Sequence, residues 1–427
     1  MRAILFRLTF AVILTSTWQP LAAQTNSAPT LPRTDANGNP LRRAPTGHVS
    51  NYDEANVGTY KLPDPLVLLN GQSVTDSNTW IKLRRPELIK LYETEVYGRV
   101  PHRAPRLKFE LVGTDLTALS NTAIRKEFVG HIGNPTNGPK VKLVLYLPAN
   151  TTGPAPVLLH LLFGNPPADS LIYTNATRPG EIGPIPDILA RGYGYASFRY
   201  TQIEGDSRTN NLSIVRKLAL PDGQIGPAWD EWGTITAWAW AASKVLDYFE
   251  TDRTIDAKRV ALMGHSRLGK TALWAGARDP RFALVFSSCS GELGASLARR
   301  DYGESVDDVI ANFPWWFAAN FKKYSTRWNE LPVDSHLLIA LNAPHPVFIT
   351  GGTQDQWADP HGMFLAQVAA GPVYRLLGKK DLGATELPAL DTPLMEGDLG
   401  FVYHTGPHSI TAQDWKTFLD FADRHLK

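Results

Sequence analysis

The sequence predicts an α/β fold: a mainly parallel central sheet between two layers of helix, in a single domain. Three observations carry this. From about residue 157 onward, short apolar runs of strand length alternate with longer segments of helical spacing. Several of the runs are apolar at nearly every position, as strands covered on both faces are. Nothing divides the chain: there is no internal repeat and no Pro/Gly linker, and 43% of its 427 residues are hydrophobic, enough for one large core.

The elements follow in order. Arg2 and Arg7 precede an apolar stretch from Leu8 to Leu14, then small residues to Ala23, so residues 1–23 read as a secretory signal peptide. The stretch is too short to cross a bilayer, and a secreted or periplasmic location is expected. Residues 24–58 are rich in Asn, Pro, Thr and Gly and read as a loosely ordered leader, and residues 59–427 as the folded domain. Pro86–Val96 has helical spacing, with Pro86 suited to a first turn. Leu107–Val112, Ala123–Phe128 and Val141–Leu147 read as a strand meander. Val157–Phe163 is a buried-type strand ending at Gly164-Asn165-Pro166. Pro186–Arg191 is helix-like, Tyr195–Tyr200 a strand and Trp232–Phe249 a long helix. Arg259–Met263 is a strand that leads into a helix through Ala277. Phe282–Ser288 and Val347–Thr350 are further strands, and Ala412–Leu426 is a closing helix.

Composition excludes several functions. A net charge of only +2, with no basic run, argues against a nucleic-acid or anionic-membrane binder. The single cysteine, Cys289, rules out an internal disulfide and a Cys-based zinc cluster. It reads as a small buried residue, since no histidine motif points to it.

Chemistry enters where strand Arg259–Met263 runs into Gly264-His265-Ser266-Arg267-Leu268-Gly269. This resembles the nucleophile elbow of the α/β-hydrolases, a serine on a tight strand-to-helix turn. Gly264 lets the backbone pass closely beneath that turn. The second glycine usually stands two residues after the serine; here that place is Leu268, and the glycine is Gly269. A serine nucleophile needs a base, and the base an orienting acid. His408, in the Gly406-Pro407-His408 loop before the last helix, stands where this fold places its histidine; His404 competes from four residues away. Asp355 follows strand Val347–Thr350, so Ser266, Asp355 and His408 come in the chain order of the fold. Arg267 should offer its backbone N–H to the oxyanion. His265 reads as a packing residue, Asp359 as a loop cap, Trp315-Trp316 as core or cleft wall, and Gly164-Asn165 as the opposite wall of the site.

The shifted glycine, with Arg267 and Lys270, narrows the match. Gly264-His-Ser-Arg-Leu-Gly-Lys270 resembles the elbow of the glucuronoyl esterases, carbohydrate esterase family 15. Asn51-Tyr-Asp-Glu54, Arg84-Arg-Pro-Glu87 and Val96-Tyr-Gly-Arg99 resemble the entry segment of its bacterial members. Trp232-Gly233 with Ala237-Trp-Ala-Trp240 resembles their helix before the elbow, and Asp414 to Leu426 their last helix. The likeness spans roughly residues 50 to 427. It supports His408 as the base, in the family's Gly-x-His step, and adds a charged oxyanion donor from the Arg267 side chain. It implies sugar contacts from Lys270, Glu304 and Trp357. Cys289 stands where fungal members carry their catalytic glutamate, which favours Asp355 as the acid, with Glu292 the other carboxylate to weigh.

The resemblance therefore implies a serine esterase acting on glucuronoyl or 4-O-methyl-glucuronoyl esters, without metal or cofactor. Its partners would be glucuronic acid-bearing xylan and lignin–carbohydrate esters, with no nucleic acid and no membrane after signal cleavage, the enzyme acting as a monomer. An acetyl-xylan or other carboxylesterase on the same fold, and a non-catalytic carbohydrate-binding protein, are the competing readings.

Overall fold

The computed structural model describes residues 34–168 and 182–427; the expected signal peptide, 1–23, lies outside them. Leu107–Thr117 (β1), Ala123–Ile132 (β2) and Lys140–Pro148 (β3) form the antiparallel meander, with a bulge in β1 between Leu111 and Gly113. β3 then pairs antiparallel with Gly194–Arg199 (β5). From there the sheet is parallel: β5, Ala155–Leu162 (β4), Ile255–His265 (β6), Leu284–Ser288 (β7), Val347–Gly352 (β8) and Leu399–His404 (β9). The strand order is β1-β2-β3-β5-β4-β6-β7-β8-β9. The neighbours of β4 lie on opposite sides of it, one reached by the chain before the other. In an open α/β sheet such a reversal leaves a crevice at the carboxyl ends of the strands, which is where ligands bind.

Side chains alternate across the sheet with the period of two that strands impose. Val157, Leu159 and Leu161 of β4 face one core and Leu158 the other. The larger core is covered by Arg85–Glu95 (α1), Thr234–Phe249 (α3), Arg267–Arg278 (α4), Ser335–Ala340 (α6) and Pro360–Leu376 (α7). Ile185–Ala190 (α2) and Ala412–Leu426 (α8) cover the smaller one. Val306–Asn312 (α5), opened by a Ser305–Asp308 capping box, lies at the carboxyl end of the sheet. Every strand and helix expected from the sequence is present; β1, β2, β3, β6 and β8 run longer by two residues or more, and α3 and β7 are each two residues shorter. β9, α5, α6 and α7 are among the additional elements.

α4 shows what packing demands of the sequence. Its glycines cost ~1 kcal/mol each relative to alanine in a helix interior. A Cβ on Gly276 would lie 2.3 Å from Asn342 Oδ1 and 2.5 Å from Val285 Cγ2. Close approach lets α4 bury Leu268, Leu273 and Trp274 completely. At roughly 1.5–3 kcal/mol for each large side chain, that burial outweighs the glycine cost.

The amino-terminal segment is tied to the body. Residues 42–50 form a small hairpin, with Arg43 bridged to Val49 and Gly47 at φ +91° in the turn. Thr46 Oγ1 donates to Asp307 at 3.0 Å, Gly303 N to the Asn51 carbonyl at 2.8 Å, and Arg300 to Glu54 at 2.6 Å. Among the described residues no helix is long and apolar enough to cross a membrane.

Candidate active site

β6 ends at His265 and α4 begins at Arg267, so a single residue, Ser266, makes the turn. Its backbone is at φ 57°, ψ −127°, a region that costs a non-glycine residue about 1–3 kcal/mol. The turn is held by hydrogen bonds from Ser266 N to the Ser288 carbonyl at 2.8 Å and from Gly269 N to the Ser266 carbonyl at 2.9 Å. Both glycines of the motif are sterically required. A Cβ on Gly264 would sit 2.0 Å from the Leu268 carbonyl oxygen, and one on Gly269 would sit 2.9 Å from Ser287 Oγ and Ser290 Cβ. The shifted glycine thus serves helix-against-strand packing, while Leu268 in the usual glycine place is fully buried.

The loops after β8 and β9 meet in front of this turn. Thr353 N donates to the His404 carbonyl and Gln354 N to the Gly406 carbonyl, at 3.0 and 2.8 Å. That brace brings Asp355 and His408 together: His408 Nδ1 donates to Asp355 Oδ2 at 2.6 Å. Asp355 is buried and His408 is 40% exposed by side chain, so the acid is fixed inside and the imidazole reaches the open crevice. The His408 ring lies 4.5 Å from the ring of His265, the residue next to Ser266. His265 is bonded to Ser288 Oγ at 3.1 Å, and burial together with the nearby His408 holds its pKa well below the usual imidazole range. It packs there as a neutral group.

The other acid–base candidates sit apart from this pair. His404 is buried, its Nδ1 3.0 Å from Asp414 and its Nε2 3.3 Å from the Pro407 carbonyl. Burial opposes its charge, but Asp414 holds its pKa above the ordinary value. Its place is under the His408 loop. Glu292 is buried, and burial, followed by Asp334, drives its pKa well up. Cys289 lies within 4.8 Å of the Asp355 and His408 ligand atoms; burial raises its thiol pKa well above normal. Asp359 caps α7, accepting from Gly362 N at 2.9 Å, and pairs with Arg300.

Arg267 opens α4 beside the serine. Its guanidinium pairs with Asp206 at 2.6 Å and lies 4.8 Å over the Trp316 ring, with Phe313 and Phe163 at 5.5 and 5.7 Å. Asp206 also accepts the indole N–H of Trp315 and of Trp316, at 2.9 and 2.6 Å. The sequence reading did not name Asp206; one acid collects three partners distant in the chain, and no local pattern announces it. Phe163, just before Gly164-Asn165, also stands edge-on to Tyr200 and His265. Trp316 is thus buried core beneath the Arg267 guanidinium, and Trp315 is half-buried beside it.

The three expected sugar-contact residues are close together. Lys270 is buried one turn into α4; its Nζ donates to the Ser290 carbonyl at 2.6 Å and lies 3.7 Å from Glu304. Burial lowers the Lys270 pKa and raises that of Glu304, each opposed by the charge of the other. Glu304 N donates to the Trp357 carbonyl at 2.8 Å. Gly303, at φ +70°, permits this contact, since a Cβ there would lie 2.5 Å from that same carbonyl oxygen. A charged floor beside a half-buried indole suits a ring that carries hydroxyls on its edges and C–H groups on its faces.

Comparison with known proteins shows the family. The family model for fungal glucuronyl esterases matches residues 227–378. A carbohydrate esterase from an unknown prokaryotic organism, MZ0003, is 41% identical over 88% of this chain and 92% of its own length. The 4-O-methyl-glucuronoyl methylesterase 1 of Wolfiporia cocos is 28% identical over 75% of this chain and 73% of its own. Among solved structures, a glucuronoyl esterase from Solibacter usitatus superposes with a TM-score of 0.81 at 40% identity. That match covers 87% of this chain and all of the other.

Proposed function

The chain belongs to the glucuronoyl esterases, carbohydrate esterase family 15, and from that membership we propose that Ser266, His408 and Asp355 hydrolyse glucuronoyl and 4-O-methyl-glucuronoyl esters through an acyl-enzyme. The observation that carries the assignment of residues is the 2.6 Å His408–Asp355 bond set against the strained Ser266 turn. Asp355 holds Nδ1–H, which leaves Nε2 of His408 as the base. The Ser266 hydroxyl gives its proton to Nε2 as Oγ bonds to the ester carbonyl carbon. The oxyanion forms at the start of α4, where the Arg267 N–H and the helix dipole favour negative charge. The Arg267 guanidinium, braced by Asp206 and Trp316, adds positive charge beside it. Collapse breaks the bond to the alcohol, which leaves with the proton from His408. Water, deprotonated by the same imidazole, then attacks the acyl carbon and releases the uronic acid and the free serine.

On this reading Lys270, Glu304 and Trp357 bind the uronoyl ring, and the esters are those joining glucuronoxylan to lignin alcohols. Residues 1–23 direct export and are removed, the leader runs from 24 to 58, and residues 59–427 act as a monomeric esterase domain outside the cytoplasm.

The test is a comparison of acyl groups. Methyl glucuronate should be cleaved with far higher kcat/KM than nitrophenyl acetate, because a site built to bond hydroxyls leaves its own polar groups unpaired on an analogue without them. Lys270→Ala and Glu304→Gln, checked for folding by thermal melts, should reduce glucuronate cleavage much more than acetate cleavage. Equal losses on both substrates would refute the uronoyl assignment and leave a general carboxylesterase.

A further inference from the structure

The hairpin of residues 42–50 delivers one side chain to the site. Its base is closed by Ser50 N to the Arg42 carbonyl and Arg42 N to Ser50 Oγ, both at 3.1 Å. Its tip is fastened by Thr46 to Asp307, and His48 stands edge-on to Trp328 with the ring centroids 5.7 Å apart. At the base, the Arg42 guanidinium carbon lies 4.5 Å over the Trp357 indole. Among the described residues this guanidinium has no ion-pair or hydrogen-bond partner, and the residue is exposed. Its charge nevertheless reaches the buried Glu304, where it opposes the upward push of burial.

These positions are ordered by depth. Lys270 and Glu304 are 3% and 7% exposed and form the floor; Trp357 is half-buried; Arg42 stands at the rim above it. A uronoyl ring whose ester carbonyl is at Ser266 and whose hydroxyls reach the floor would leave its attached glycan to exit past the rim. An arginine whose guanidinium already lies over an indole has lost part of its rotamer freedom before any ligand arrives, so its five donors are partly pre-organised for hydroxyls.

We propose that Arg42 is a specificity-determining residue for this esterase: it hydrogen-bonds the pyranose that carries the uronoyl group, so the amino-terminal hairpin selects glycan-borne esters over free uronate esters. This rests on the uronoyl reading of the Lys270–Glu304–Trp357 site.

The experiment measures KM and kcat for a glucuronate methyl ester with and without a xylo-oligosaccharide attached, in the wild type, Arg42→Ala and Arg42→Lys, with nitrophenyl acetate as a third substrate. The wild type should bind the glycan-borne ester more tightly than the free one. Arg42→Ala should raise KM for the glycan-borne ester about fivefold, the worth of one ordinary hydrogen bond, and shrink the difference between the two uronate esters. Arg42→Lys should fall between the two proteins, because it keeps the charge and loses the planar fork. An unchanged KM in Arg42→Ala, a lowered one, or an equal rise on both uronate esters would overturn the proposal. Failure of the uronoyl reading itself looks different, for the wild type would then show no preference for either uronate ester over the acetate.

Discussion

Asp355 and Glu292 both stand behind the nucleophile, and their surroundings separate them. Asp355 bonds the His408 imidazole, whereas Glu292 is buried among Lys270, Glu304 and Asp334, and burial raises its pKa well above the usual carboxylate range. Asp355→Ala should therefore lower kcat by roughly 10⁴-fold, as loss of the orienting acid does in a serine triad. Glu292→Gln, which keeps the shape of the side chain, should lower it less than tenfold. Steady-state kinetics on a glucuronate ester decides this, and the reverse order of losses would make Glu292 the acid. At this scale much of the candidate site was legible: Ser266 by its elbow, His408 by the loop before the last helix, Asp355 by its strand end. Asp206 was not, because its meaning depends on Arg267, Trp315 and Trp316 converging on it in space.

Elements were legible where one period ruled them. β4 is buried throughout and apolar but for His160, the second half of β6 is the apolar run Val260–Met263, and α3 buries most of its length. α7 escaped notice because Pro360, Gly362, Gly371 and Pro372 read as breakers; Pro360 occupies the first turn, where its missing N–H costs nothing, and Pro372 is accommodated inside the helix. β9 was obscured by Gly400, which is small because a Cβ there would lie 2.6 Å from Phe348 Cδ2. The elbow is the element least tolerant of change. Gly264→Ala would push a methyl group into the Leu268 carbonyl at 2.0 Å, between two backbone segments that cannot both give way. We expect a loss of stability of about 1–3 kcal/mol or more, together with near-total loss of esterase turnover. Chemical denaturation and kinetics of the purified variant measure both, and a variant with native activity would show that the turn relaxes freely.

The whole molecule carries several histidines that it keeps neutral. Burial lowers the His160 pKa to about 3, and lowers those of His265 and His336 as well. The unfolded chain takes up these protons near pH 6.5 and the native state does not, so stability falls as pH drops below 6.5. For His160 the loss continues to about pH 3. His404 acts in the opposite sense: its pKa is raised, so its contribution is present below 6.5 and fades as pH rises through its native value. His160→Gln should flatten the decline by up to about 1.4 kcal/mol per pH unit between pH 6 and 4. Urea unfolding at several pH values tests this; identical slopes in both proteins would mean that His160 titrates normally. The arrangement of a sheet between two helix layers was legible from strand–helix alternation. The strand order was not, because pairing partners are chosen by contacts far apart in the chain.

An open sheet has two ends, and this one treats them differently. Beyond β9, Leu394 bridges to Phe401 and Asp391 N donates to the Tyr403 carbonyl, so that end is covered. Among the described residues no strand pairs with the outer edge of β1, which carries Leu111, Val112 and Leu116 at 48%, 54% and 67% exposure. Left flat, such a strand would recruit another from a neighbouring molecule. The bulge at Val112 twists it out of register midway, and Lys108, Glu110 and Asp115 place charges along it. One extra residue in an edge strand far from the chemistry is thus placed to oppose association: deleting Val112 should leave esterase turnover unchanged and raise light scattering in concentrated solution, and equal scattering in both proteins would show that the bulge has no such effect.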